Sequence, residues 1–142
     1  MMTGVCRTEG LIDGHRQFGD HRHFVRRAGS CGLLSQLAGA DVCRLSSASL
    51  IELGLVLRRE GTGGQRLALN EMLRLFGIRI EPVTEEQARQ AIDAYDRFGK
   101  ETGHPAALNY GDCFSYALAK QVDEPLLFKG DDFSQTDLEA AC

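Results

Sequence analysis

Four carboxylates in this chain stand where they could share one metal ion. Glu52 lies in an apolar segment with helical spacing, Asp112 follows Asn109 at the start of another such segment, and Asp131 and Asp132 come directly after a short apolar run. Carboxylate oxygens are hard ligands that suit Mg²⁺ or Mn²⁺. An ion held by them can activate water and stabilise charge on a phosphate under attack, so the pattern indicates metal-assisted hydrolysis.

Each acid also has a purely structural explanation, and spacing alone does not choose between the two. Ser49 and Glu52 have the spacing of a capping box, and the positive end of a helix would stabilise Asp112 whatever its function. Asp131 and Asp132 could be ordinary loop residues after a strand. The elements that surround the acids therefore matter.

Hydrophobic periodicity predicts alternating helices and short strands from residue 46 onwards. Helices are predicted from Ser49 to the glycines at 61–64, over residues 65–76, from the Thr84/Gln87 capping box to Gly99, and from Asn109 to about residue 122. Strands are predicted at residues 78–83 and 125–128, with a loop at 100–108. Such alternation favours a parallel sheet covered by helices, where sites gather at the carboxyl ends of the strands. Glu52 and Asp112 would both lie in first turns at that edge.

The apolar face of the helix that follows Thr84 should pack on the core. Its predicted members share helical spacing and are Ala88, Ala91, Ile92, Tyr95 and Phe98.

Length and composition predict a single domain with its own hydrophobic core. Its 142 residues are 43% apolar, and its five cysteines are scattered without a Cys-x-x-Cys pair, so neither a disulfide framework nor a zinc knuckle is expected. A cytoplasmic location fits best, because no apolar run is long enough to span a membrane and no export signal is evident. The net charge is −4, so RNA binding would need bound cations or a few local arginines.

Three stretches together resemble the VapC toxins, which are PIN-domain ribonucleases of bacterial toxin–antitoxin pairs. They read SASLIELG at residues 47–54, NYGDCFSYALAK at 109–120 and PLLFKGDDFSQTD at 125–137. The resemblance covers about residues 42 to 138. It implies an α/β fold with a PIN-like parallel sheet flanked by helices, in which the first strand is missing or altered.

The resemblance also implies a function and assigns roles. Glu52 and Asp112 match the second and third acids of the PIN site, and the fourth falls on Asp131 or, as the second choice, Asp132. These acids would be catalytic ligands of Mg²⁺, with Mn²⁺ as a substitute, in an endoribonuclease that cleaves RNA phosphodiesters. The implied partners are a VapB-type antitoxin and a second copy of the chain in a homodimer, with no membrane. The alternative is a disabled PIN remnant that only binds its antitoxin or toxin partner.

The amino end departs from the family pattern. This departure predicts two parts, an atypical, partly disordered segment at residues 1–34 and a PIN-like domain at residues 35–142. The family's first acid belongs to an Asp-Ser/Thr-Ser-Ala motif that is absent here, and neither Asp13 nor Asp20 has its context. One hypothesis is a shifted reading frame. Suitable codons for residues 15–21, read one base later, give Ile-Asp-Ser-Ser-Ala-Ile.

Two other chemistries are weaker hypotheses. A zinc site could be imagined from His15, His21, His23 and Cys31, although no paired-ligand spacing continues downstream. A nucleophile at Cys113 would need a base, and no motif links Cys113 to His104.

Overall fold

The computed structural model describes residues 4–7, 37–60 and 65–141. The predicted disorder of residues 1–34 and the predicted glycine break at 61–64 fall outside these residues. Within residues 1–34, the structure describes one short strand, at residues 4–7. The strands are β1 (Gly4–Arg7), β2 (Val42–Ser46), β3 (Arg79–Glu81) and β4 (Leu126–Leu127). The helices are α1 (Ser47–Glu60), α2 (Gln65–Leu75), α3 (Glu85–Phe98) and α4 (Tyr110–Val122), and a 3₁₀ helix spans Asp132–Gln135.

The strands form one sheet in the order β3-β2-β1-β4. β2 and β3 are parallel, whereas β1 is antiparallel to both of its neighbours, β2 and β4. It follows that β2, β3 and β4 share one direction and that β1 alone runs the other way. The predicted α/β class with an altered first strand is confirmed, and the alteration is a reversal within a mixed sheet.

β1 is held by backbone pairing and by a covalent bond. The Cys6 N–H donates to the Pro125 carbonyl at 3.2 Å, and the Asp41 N–H donates to the Arg7 carbonyl at 3.0 Å. Cys6 and Cys43 lie directly opposite each other on β1 and β2 and form a disulfide across 37 residues of sequence. The cysteine spacing, which predicted no disulfide framework, missed this bond, because strand pairing brings together two residues that no sequence spacing connects.

Both faces of the sheet are buried, because successive side chains of a strand point to opposite sides. Val5 packs on one face with α3 and α4, in a core that includes Phe98, Tyr116 and Leu126. Cys6 packs on the other face in a smaller cluster whose buried members are Cys6, Leu37, Cys43 and Leu127. The centre of the sheet is thus filled, although its first strand is reversed.

The local signals for α3 and α4 were correct. Thr84 and Gln87 form a complete capping box, Gly99 caps the end of α3, and Asn109 caps α4, which ends at Val122 as predicted. Ile92 was wrongly placed in the core, since it is 62% exposed. The buried positions of α3 are Gln87, Ala91, Ala94 and Phe98. This stripe turns small alanines toward α4.

The remaining elements are near their predicted positions. α2 ends one residue before the predicted boundary, and the strands are shorter than predicted at Arg79–Glu81 and Leu126–Leu127. Among the described residues, no helix combines the length and apolar character needed to cross a membrane.

Candidate active site

The amino ends of α1 and α4 meet at the edge where β2 and β4 end. α1 begins directly after β2, and the Ala48 N–H donates to the Ser46 hydroxyl at 3.3 Å, which satisfies one free donor at the helix start. Ser49 and Ser115, one from each helix, share a buried hydrogen bond between their hydroxyls at 3.2 Å. This contact fixes the two helices relative to each other near the candidate acids.

Asp112 is the buried centre of the group. Its Oδ2 accepts from the Asn109 N–H at 3.0 Å, while the Asn109 side chain accepts from the Asp112 N–H at 3.0 Å. Asp112 is only 8% exposed. The structural explanation of this residue is therefore correct, and because capping uses one carboxylate oxygen, the other is left for a further ligand.

The pKa of Asp112 is raised above its ordinary value. Burial is the largest cause; the hydrogen bond from the Asn109 backbone opposes it, and the negative charges of Asp132 and Glu52 raise the pKa further. The charges of Glu52 on α1 and of Asp132 in the 3₁₀ helix thus both act on Asp112. A divalent cation at this edge would offset that repulsion.

Glu52 reaches the group from the second turn of α1, not from the first turn as expected. α1 begins at Ser47 and carries no acid in its first turn, and the Ser49 hydroxyl bonds to Ser115 instead of capping its own helix. The capping-box explanation of Glu52 is therefore wrong. Its carboxylate lies instead against Gly111, the residue before Asp112.

The two acids after β4 occupy different positions, and the choice of Asp131 as the fourth site acid stays a prediction. Asp131 precedes the 3₁₀ helix and Asp132 begins it, and both are exposed. The charge that acts on Asp112 is that of Asp132. Asp132 therefore joins Glu52 and Asp112 in the group, while Asp131 supplies its backbone carbonyl to Ser134.

The donor set fits a hydrated Mg²⁺ in part. Mg²⁺ keeps several waters and is commonly held by one or two carboxylates, which Asp112 and Glu52 could supply. The described part of the chain holds no group of three or more His, Cys, Asp or Glu side chains arranged to hold an ion. Asp132 acts on Asp112 through its charge.

β1 contains no acid, and its carboxyl end also lies away from the pair. Gly4 pairs with Leu127 at the carboxyl end of β4, and Arg7 pairs with Val42 at the start of β2. The carboxyl end of β1 is consequently at the edge opposite Asp112. Asp13 and Asp20, like the candidate zinc ligands His15, His21, His23 and Cys31, lie outside the described residues.

The nucleophile hypothesis finds no geometric basis. Cys113 is buried, its thiol donates to the Asn109 carbonyl at 3.3 Å, and burial raises its pKa to about 11. His104 instead accepts from the Ala106 N–H through Nδ1. A thiol with a pKa this high stays protonated at neutral pH and is a poor nucleophile.

Sequence reasoning missed Gly111 and the Ser49–Ser115 contact. The signal for Gly111 was present, because a glycine in the first turn of a predicted helix marks a place where another group approaches closely. No comparable signal connected the two serines, since their meeting depends on how α1 packs on α4.

Residues 24–139 match the PIN domain family. Ribonuclease VapC28 of Mycobacterium tuberculosis is 51% identical over 105 residues, covering 74% of this chain and 79% of that protein. The chain belongs to the VapC ribonucleases of the PIN domain family. Ribonuclease VapC of Mycolicibacterium smegmatis is 45% identical over 105 residues, covering 73% and 80% of the two chains. Ribonuclease VapC42 of Mycobacterium tuberculosis is 43% identical over 99 residues, covering 70% and 76%.

The PIN match extends further toward the amino end than the motifs predicted, but it begins after β1. Glu52, Asp112, Asp131 and Asp132 lie within the PIN-matched residues. The reversed strand lies outside them.

Proposed function

We propose that this chain is the toxin of a type II toxin–antitoxin pair and acts as a Mg²⁺-dependent endoribonuclease. The observation that carries the proposal is the buried Asp112 carboxylate, fixed by Asn109 and influenced by the charges of Glu52 and Asp132. Membership of the VapC ribonucleases supports RNA as the substrate. Single-stranded or looped RNA is favoured, because its backbone is open to a shallow acidic edge.

Asp112 and Glu52 would hold the ion, with Asp132 as the nearby third charge and Asp131 as the alternative. When bound, the ion would activate water and stabilise charge on the attacked phosphate. The protein residues contribute position. Asn109 fixes Asp112, and the Ser49–Ser115 contact fixes the helix that carries Glu52. Mn²⁺ would substitute, because it accepts the same oxygen ligands.

Cleavage of a labelled hairpin RNA tests this function. Purified full-length chain should cleave it with Mg²⁺ or Mn²⁺ and not with EDTA, and Asp112→Asn should remove the activity. Cleavage that persists equally in Asp112→Asn would be due to a contaminating nuclease and would count against the proposal.

The reversal of β1 favours a second candidate function, a disabled PIN domain that binds its antitoxin without cutting RNA. The carboxyl end of β1 lies at the edge opposite Asp112, so this strand delivers no first acid to the pair. A site with fewer carboxylates would bind the ion more weakly and position water poorly. Co-purification with a VapB-type antitoxin, with no metal-dependent cleavage by the chain alone, would select this candidate.

The proposed homodimer has a suitable surface between α3 and α4. A groove of about 520 Å³ there is lined in part by Ile92 and Tyr110, which are 62% and 77% exposed. Covering such apolar side chains would stabilise a dimer. Light scattering should give twice the chain mass, and Ile92→Glu should reduce it to one. An unchanged mass in Ile92→Glu would place the dimer contact elsewhere.

A further inference from the structure

Gly111 occupies an unusual position between the two central carboxylates. It is the second residue of α4, buried, and directly precedes Asp112. A Cβ built at Gly111 would lie 2.5 Å from the carboxyl carbon of Glu52 and closer still to its Oε2. Real side-chain carbons do not approach other atoms so closely, so any residue larger than glycine would displace the Glu52 carboxylate, which is the far end of a flexible, exposed side chain.

The backbone at Gly111 does not itself require glycine. Its φ lies outside the left-handed region, and helical glycine is ordinarily less stable than alanine by about 0.5–1 kcal/mol. The three atoms nearest to the built Cβ all belong to the Glu52 carboxylate.

Resting against Gly111 also gives Glu52 a favourable electrostatic position. Its carboxylate lies at the first turn of α4, where the aligned peptide dipoles leave a partial positive charge. That position offsets part of the repulsion between Glu52 and Asp112. A carboxylate pushed outward by a side chain at 111 would lose the helix end and its proximity to Asp112 together.

We propose that Gly111 is a positioning residue for the metal site: its missing side chain is the space that holds the Glu52 carboxylate beside Asp112. The inference about metal affinity rests on the proposed function. The inference about the Glu52–Gly111 packing does not, since it follows from the contact alone.

A metal-free double-mutant cycle tests the packing. Gly111→Ala should raise the melting temperature of the full-length chain less than it does in a Glu52→Ala background, because only the original chain has to move the Glu52 carboxylate. Gly54→Ala is the matched control, because Gly54 lies in α1 with nothing within 4 Å of its built Cβ. It should raise the melting temperature in both backgrounds. Equal effects of Gly111→Ala with and without Glu52 would overturn the proposal.

Mn²⁺ titration tests the positioning role, because a purely structural role would leave the affinity unchanged in folded protein. Gly111→Ala should weaken Mn²⁺ binding about 10-fold or more, comparable to the loss of a group that orients a ligand. Glu52→Gln should weaken it similarly, and the double variant should lose no more than either single variant. Additive losses would overturn the positioning role. Absence of Mn²⁺ binding in the unmodified chain would instead count against the proposed function and leave the packing result standing.

Discussion

β1 and α4 lie side by side in the same core, but different forces hold them there. β1 is four residues long, lies outside the family match, and is kept by backbone pairing and the Cys6–Cys43 disulfide. α4 lies within the match and is kept by its capping box and an almost entirely buried face. A strand that completes a sheet and a helix that carries an active-site residue therefore have to meet different structural requirements.

A sheet accepts a strand in either direction, because every residue offers an N–H and a carbonyl to either kind of ladder. Val5 and Cys6 fill both faces of the reversed strand with suitable side chains. A metal site does not accept the reversal, since a carboxylate must be delivered at one particular edge. β1 therefore completes the core, while its carboxyl end lies at the edge opposite Asp112.

The largest expected effect concerns how β1 is held. Cys6→Ser removes a bond that closes 37 residues of chain, and for a loop of that size we expect a loss of roughly 4 kcal/mol in the free energy of unfolding. Urea titration under non-reducing conditions measures it. Excess reductant is the control, because the original chain and the variant should then converge. If Cys6→Ser left stability unchanged without reductant, β1 would be held by pairing alone.

The next effect concerns the site. Asp112→Asn should reduce Mn²⁺ affinity by about 100-fold or more, because even the groups that only orient a ligand contribute about 10- to 100-fold. An asparagine can still accept the Asn109 N–H, so the α4 cap and the fold should survive. Asp96→Asn on α3 is an exposed control and should bind as before. A loss of affinity as large in Cys6→Ser as in Asp112→Asn would break the contrast between the two regions.

What could be predicted from sequence was local. The Thr84/Gln87 and Asn109 caps lie within a few residues of the groups that they satisfy, so α3 and α4 were placed almost correctly. The identity of Glu52 and Asp112 as neighbours came from family motifs, and the structure brings their charges together. Spacing alone had left both with structural explanations.

What could not be predicted depends on distant partners. The direction of β1 follows from its pairing with β2 and β4, and the disulfide follows from that pairing. Ser49 was predicted to cap its own helix, because its actual partner, Ser115, is 66 residues away and cannot be recognised from local spacing. The shifted-frame hypothesis for residues 15–21 remains a prediction, and sequencing the gene across the first forty codons would test it.

The smallest expected effect probes how the matched region is held without a covalent bond. Tyr116 is buried on α4, and its hydroxyl donates to Asp137 Oδ1 at 2.6 Å. Tyr116→Phe should lower the free energy of unfolding by about 1–2 kcal/mol. This is the lower end of the range for a hydrogen bond to a charged group, because Asp137 keeps Arg97 and Lys120 as partners. Tyr110→Phe, on an exposed side chain of the same helix, should cost much less.

The pH dependence of that cost gives a sharper test. Burial and the hydrogen bond to Asp137 raise the pKa of Tyr116 from 10.0 to about 12, so the folded state holds the phenol proton more tightly than the unfolded state. The stabilisation is complete below pH 10 and is lost as the pH rises toward 12. The difference between the original chain and Tyr116→Phe should therefore be constant at neutral pH and shrink above pH 10. A constant difference throughout would mean that the hydrogen bond to Asp137 is not what stabilises the fold at Tyr116, and that the matched region, like β1, is held by contacts insensitive to charge.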